Sequence, residues 1–188
     1  MTIKINRREA LIAGAATALP LLATSTKTPV AAASDYKPVK GVSTLGFNTL
    51  TNAELAQELQ ANNITTIQLF LSQKDSNYWR YNSRNDVSAV DASRCKEIAD
   101  TYRDAGIAIH SIGVYTNLIH GDEAERKANL DYFEDMFRIG ADMGVHTFIT
   151  EAGHYEPEGD AHGVPHHFKE EVWTQMVDTG KTLAKIAE

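Results

Sequence analysis

The chain has 188 residues, 43% of them hydrophobic and 23% charged, with a formal net charge of −7. That balance supports one ordinary globular domain with a real core and excludes a disordered chain or a polytopic membrane protein. The single cysteine, Cys95, excludes an internal disulfide and a cysteine-based zinc site.

Residues 1–33 read as an export signal. Arg7 and Arg8 precede a short apolar run rich in Ala and Gly, and Ala31, Ala32 and Ala33 offer a small-x-small cleavage site before Ser34. The run is shorter than the roughly 20 residues that a membrane-spanning helix needs. The adjacent arginines resemble a twin-arginine signal; an ordinary Sec signal is the alternative. Either address places the mature protein in the periplasm or another extracytoplasmic space, free of the membrane after cleavage. Residues 34–40 read as a linker and 41–188 as the domain. The signal holds four cations against one acid, so its loss takes the remainder to −10. An acidic domain without a basic stripe is not expected to bind nucleic acid.

The domain alternates strands with helices. The first strand is expected at 42–47. Thr51 and Glu54 then form a capping-box signature for a helix that buries Leu55, Ala56 and Leu59. The second strand, 65–71, is rich in β-branched and apolar residues, as a strand covered on both faces should be. A long polar stretch follows, 73–90. Asp91 then caps a helix whose apolar face carries Cys95, Ile98, Ala99 and Tyr102. On that face Cys95 reads as a small buried residue rather than a nucleophile. The third strand is expected at 107–115, the third helix at 124–143, the fourth strand at 145–150 and the fourth helix at 169–188. The fourth helix is expected to turn Val172, Met176, Leu183 and Ala184 inward.

One junction recurs. Asn62-Asn63-Ile64, Ala105-Gly106-Ile107 and Met143-Gly144-Val145 each end a helix and start a strand, with residues that tolerate a left-handed backbone. Repeated βα units joined this way imply a parallel sheet with right-handed crossovers. Four units make half of a (β/α)₈ TIM barrel, which typically needs about 250 residues. The fold class expected is α/β, with about the first four βα units of the barrel; an open four-stranded α/β sheet is the rival.

In such a barrel the chemistry sits at the C-terminal strand ends. After the second strand, Tyr78, Trp79 and Tyr81 are candidates to stack on a sugar ring, and Arg80 and Arg84 to meet a phosphate or carboxylate. The same stretch also reads as an excursion packed by its own aromatics. The third strand carries His110, followed by Tyr115, Asn117 and His120. His110 reads either as a hydrogen-bonded core histidine or as a metal ligand or proton carrier. Glu151 directly follows the apolar fourth strand, where it reads as a metal ligand, as a proton-transfer base or as a carboxylate bonded to backbone N–H groups. Beyond it lie His154, Glu156, Glu158, Asp160, His162, His166 and His167; His154, nearest the strand end, is the strongest candidate ligand among them.

The segment running from Ile109 and His110 to His120, the helix ending in Gly140 to Gly144, and the run from Thr147 through Glu151 to His154 together resemble the xylose isomerase-like TIM barrel superfamily. This group includes sugar phosphate isomerases and epimerases and, more distantly, metal-dependent apurinic endonucleases. The resemblance spans about 41–188. It implies proton transfer next to a carbonyl on a sugar or polyol, with a divalent cation (Mn, Mg, Co or Zn) most of whose ligands are expected beyond residue 188. It implies His110 and Glu151 as metal ligands at the barrel mouth and as catalytic residues; His154 is a further candidate ligand from its place beside the strand end. Trp79, Arg80, Tyr115 and Asn117 are the expected substrate-binding residues. Homo-oligomer formation is compatible with this reading. The alternatives are a metal-dependent phosphodiester hydrolase on the same scaffold and a non-catalytic exported sugar-binding module.

Overall fold

The computed structural model describes residues 39–81, 83–153 and 169–188. The expected signal, most of the linker, and the 154–168 segment with His154 lie outside the described residues. Nine elements follow in chain order: β1 (Gly41–Ser43), a 3₁₀ turn (Thr44–Gly46), α1 (Asn52–Ala61), β2 (Thr66–Leu69), α2 (Ala92–Asp104), β3 (Ala108–Gly113), α3 (Glu123–Met143), β4 (Phe148–Ile149) and α4 (Glu170–Ile186). The strands form one sheet in the order β1-β2-β3-β4, and every pairing is parallel. Alternation of strand and helix thus yields the βα succession that the hydrophobic pattern calls for.

Local chemistry sets the helix ends. The Thr51 side chain accepts from the Glu54 backbone N–H while the Glu54 carboxylate accepts from the Thr51 N–H, a complete capping box. Asp91 caps α2 by accepting from Arg94 N–H at 2.8 Å, and Asp122 caps α3 by accepting from Glu125 N–H at 3.0 Å. The three helix-to-strand junctions are the same device repeated. Asn63, Gly106 and Gly144 all have positive φ. The following residue then donates back into the helix in each case: Ile64 to the Leu59 carbonyl, Ile107 to Tyr102 and Val145 to Gly140, at 2.8–2.9 Å. This paired pattern satisfies carbonyls that the helix leaves open.

The core lies between the sheet's outer face and the helices. Ile67, Leu69 and Ile112 from the strands and Val114 just past β3 pack with Leu55, Cys95, Ile98, Tyr102, Phe133, Met136 and Ile139 from the helices. Each such side chain contributes roughly 1.5–3 kcal/mol when fully buried. Gly140 lets α3 approach β4 closely, because a Cβ there would sit 2.3 Å from the Phe148 ring. α4 is less well covered: Val172 and Thr179 are buried, Met176 and Leu183 are half-buried, and Ala184 is exposed rather than inward.

The strands are shorter than the apolar runs suggest. β1 stops at Ser43 because the Thr44 hydroxyl takes over the pairing: it accepts from Phe70 N–H at 2.8 Å and donates to the Phe70 carbonyl at 3.1 Å. β3 contains a register shift. Ile67 pairs with Ile109 and Gln68 with Ser111, so His110 is the extra residue of a bulge.

The long segment after β2 has no helix or strand but is pinned at many points. Buried Asn52 donates through its backbone and side chain to Asp75 and through its side chain to Ser76, and it accepts from the Tyr102 hydroxyl at 2.9 Å. Burial raises the Tyr102 hydroxyl well above the usual phenol range. Farther along, Arg84 pairs with Glu125 at 2.9 Å and donates to Asn129 at 2.7 Å, tying the segment to α3.

Candidate functional site

The C-terminal ends of β2 and β3 carry an aromatic wall. Phe70, the residue after β2, is fully buried with its ring against β3, where Gly113 leaves room for it: a Cβ on Gly113 would lie 2.3 Å from the ring. Trp79 meets Phe70 edge-on with centroids 5.0 Å apart, and Tyr115 meets Phe70 at 5.2 Å. Trp79 and Tyr115 are 6.4 Å apart, and Tyr81 extends the group from Trp79 at 6.4 Å. The Trp79 backbone N–H donates to the Leu71 carbonyl, which seats the ring at the strand end. Both readings of this segment meet here, since its aromatics pack on one another and also stand at the strand tips. Phe70 anchors the wall, yet its place in an apolar strand run gave no sign of that role.

Unpartnered polar atoms lie in the same segments. Among the described residues, Ser72 Oγ, Gln73 Oε1, Thr116 Oγ1 and the indole N–H of Trp79 are buried without a hydrogen-bond partner. Leaving such a group unsatisfied costs about 1–3 kcal/mol. Buried polar atoms are ordinarily satisfied by protein, ordered water or a bound group.

Glu151 stands at the tip of β4. Gly113 pairs with Ile149, and continuing that register by two residues sets Glu151 level with Tyr115. Its side chain is half-buried beside a cavity of about 200 Å³ walled by Leu118, Met176, Thr179 and Leu183. Among the described residues its carboxylate has no hydrogen-bond or ion-pair partner, unlike a carboxylate held by backbone N–H groups.

His110 lies within the third strand, as its position in the apolar pattern implies, and not at the strand end where the resemblance would put it. It is the third residue of β3, exposed on the sheet's inner face, with Nδ1 3.2 Å from Ser111 Oγ. It lines a cavity of about 530 Å³ with Ser43, Gln68 and Ile149. Tyr115 lies five residues farther along the chain, beyond the end of β3. His110 and Glu151 therefore line separate cavities, and His110 is not at the strand tip. It is also not a core histidine. β3 continues three residues past His110 to Gly113.

The remaining candidates divide. Asn117 is buried at 5% exposure. It accepts from Ile119 N–H through its side chain and from the Asn129 amide through its carbonyl. Gly153, with φ +92°, passes so close that a Cβ would fall 2.2 Å from Asn117 Oδ1. The Gly153 backbone, beyond β4, thus packs closely on Asn117, beyond β3. Arg80 is exposed on the segment after β2. Arg84 does meet a carboxylate, but it is Glu125 of the same chain. His120 Nδ1 accepts from Asp122 N–H at the start of α3.

Among the described residues no three His, Cys, Asp or Glu side chains converge as a metal site would require. These residues do not build a cation site by themselves.

Residues 54–188 match the xylose isomerase-like TIM barrel family. The chain belongs to that family. Solved structures agree with this xylose isomerase-like fold. A putative xylose isomerase from Rhodospirillum rubrum superposes with a TM-score of 0.60 at 17% identity, covering 78% of this chain and 49% of that one. A D-psicose 3-epimerase from Clostridium cellulolyticum H10, determined with D-tagatose, gives 0.57 at 13% identity, covering 78% and 47%. A further D-psicose 3-epimerase, determined with D-fructose, gives 0.55 at 15% identity with the same coverage. This xylose isomerase-like chain spans about half the length of each of these structures. No curated protein matches it.

Proposed function

We propose that this xylose isomerase-like chain forms the substrate-holding half of a sugar isomerase or epimerase acting on a sugar, a sugar phosphate or a related polyol. The observation that carries the reading is the Phe70–Trp79–Tyr115 wall at the strand ends, set in segments that hold four buried polar atoms without partners. A sugar presents apolar C–H faces and a rim of hydroxyls. Aromatic rings take the faces, and unpartnered donors and acceptors take the hydroxyls.

Isomerisation and epimerisation both remove a proton from a carbon next to a carbonyl and return it elsewhere. A carboxylate within reach of that carbon does this work. Glu151, at the level of Tyr115 and without a partner among the described residues, is the group proposed for it. The reading includes a divalent cation, Mn, Mg, Co or Zn. Glu151 and His154 are the donors proposed from this chain, and further ligands come from outside the described residues.

Solvent exchange tests this directly. The protein is incubated with ketoses and aldoses, free and phosphorylated, in D₂O with each cation, and deuterium entry beside the carbonyl is followed by NMR. Exchange is expected with at least one sugar, lost on chelation, and lowered at least about 100-fold by Glu151→Ala, the scale on which general-base catalysis acts. His110→Ala, on its separate cavity, is expected to stay within about tenfold of the wild type. No exchange with any sugar, or wild-type exchange in Glu151→Ala, overturns the assignment.

Export belongs to the same proposal, with the Arg7-Arg8 pair as its address. Replacing both with Lys is expected to retain the precursor inside the cell. Undiminished appearance of the mature protein in the periplasmic fraction rejects a twin-arginine route.

A further inference from the structure

The segment between β2 and α2 has no helix or strand to give it shape, yet it carries Trp79 of the aromatic wall. Its first part closes on itself. The backbone N–H groups of Tyr78 and Trp79 both donate to the Leu71 carbonyl, at 2.7 and 3.0 Å. Residues 72–78 thus form a small loop whose ends meet just beyond β2, and Trp79 leaves from that closure.

The far side of the loop is clamped by Asn52, the first residue of α1 and only 2% exposed. Its backbone N–H and its Nδ2 both donate to one Asp75 carboxylate oxygen at 2.9 Å. Nδ2 also donates to the hydroxyl of fully buried Ser76 at 2.9 Å, and Oδ1 accepts from the Tyr102 hydroxyl of α2. One side chain therefore joins α1, α2 and the loop. Arg94 of α2 adds a tie to Asp75, donating to its backbone carbonyl and meeting its carboxylate at 3.5 Å.

The neighbouring elements have supports of their own. The Thr51–Glu54 capping box starts α1, Asp91 starts α2, and β2 is held by its pairing with β1 and β3. The loop has no ladder. Gln73 donates to the Thr44 carbonyl and Lys74 N–H to the Leu50 carbonyl, which fixes its entry. The Asn52 clamp on residues 75 and 76 fixes the half that leads into Trp79.

We propose that Asn52 and Asp75 are a positioning pair for the sugar site: they set the loop, and through it the orientation of Trp79 at the strand tips. A binding residue is only as well placed as the hydrogen bonds behind it, and a displacement of about 1 Å can cost about 100-fold in a site. The inference rests on the sugar reading for what Trp79 meets, and on the hydrogen bonds alone for what holds Trp79.

The pair makes an asymmetric prediction. Asn52→Asp removes the Nδ2 donor and sets a second carboxylate against Asp75, which opens the clamp. Asp75→Asn keeps an acceptor oxygen and leaves the clamp closed. Together the two exchange roles, with the amide now at position 75 donating to the carboxylate now at position 52. All variants are made in Trp173→Phe, where Trp79 is the one remaining tryptophan. Asn52→Asp is expected to raise the acrylamide quenching constant of Trp79 at least about twofold and to weaken the apparent affinity for D-fructose and related sugars at least about tenfold, while the circular dichroism of the helices persists. The double variant is expected to return both readouts to within about twofold of the parent, a non-additivity that a general loss of stability would not produce. Asp75→Ala removes the acceptor without adding a charge; it is expected to act like Asn52→Asp and carries the test if Asn52→Asp does not fold.

Quenching unchanged in both Asn52→Asp and Asp75→Ala overturns the proposal. So does a quenching change with sugar affinity intact, or a double variant no better than Asn52→Asp. Each of these results leaves the sugar reading in place. A parent protein that responds to no sugar removes the sugar reading, and the role of the pair with it.

Discussion

Gly113 shows how one missing side chain positions a site. The Phe70 ring occupies the space a Cβ would need at this position, and Trp79 and Tyr115 both lean on Phe70 edge-on. Gly113→Ala is therefore expected to displace the ring. It should cost about 1–3 kcal/mol, the usual range for overpacking a tight core, read as a shift in the urea midpoint. A variant as stable as the wild type would show that Phe70 is free to move and that the wall is not fixed. Trp79 and Tyr115 were legible in the sequence, because aromatics after a strand of a βα repeat fall at strand tips. Phe70 was not, since a buried aromatic inside an apolar run looks like ordinary core. His110 was legible as a residue inside the third strand, but the bulge it forms was not, because period-two alternation carries no mark of one.

At the scale of elements, the junctions were the most legible feature. Asn63, Gly106 and Gly144 each supply the left-handed residue, and the same pair of backbone bonds forms at all three. Strand lengths were less legible, because they depend on distant partners. β1 ends where Thr44 bonds to Phe70, 26 residues away, and β4 pairs over only two positions. The caps give the helices a pH dependence. Bonds from the Thr51 backbone and side chain hold the Glu54 carboxyl below its ordinary range, and the Glu125 backbone N–H does the same for Asp122. Both folded values lie below the unfolded ones, so the stabilisation is complete above about pH 5 and is lost as pH falls through the lowered values. The melting temperature is expected to be flat from neutral pH to about pH 5 and to fall below pH 4. Glu54→Gln should make that fall shallower. An acid limb identical to the wild type in that variant would remove the capping box as a cause.

For the molecule as a whole, the half-barrel reading explains features that no single element does. Among the described residues Ser43, His110 and Ile149 are exposed on the inner face of the sheet, β1 and β4 each pair on one side, and the chain spans about half the length of the solved relatives. These are the surfaces a second half conceals, and they were legible in outline from the count of four βα units. What could not be read was the identity of the missing side of the mouth, because the contacts that complete a barrel join residues from different halves. The described half nevertheless contributes a wall, unpartnered polar atoms and one free carboxylate at the same end of the sheet. That arrangement suits a small hydroxylated molecule better than an extended polyanion, which would need a basic stripe.

The most direct measurement uses the emission of Trp79. The chain has two tryptophans, so Trp173→Phe leaves Trp79 as the sole reporter, seated between Phe70 and Tyr115. Titration of that variant with D-fructose and related sugars is expected to give a saturable change in emission. Tyr115→Ala in the same background should weaken the apparent affinity at least about tenfold, or about 1.4 kcal/mol. Emission indifferent to every sugar tried, or an affinity unchanged by Tyr115→Ala, would contradict a sugar site on this wall.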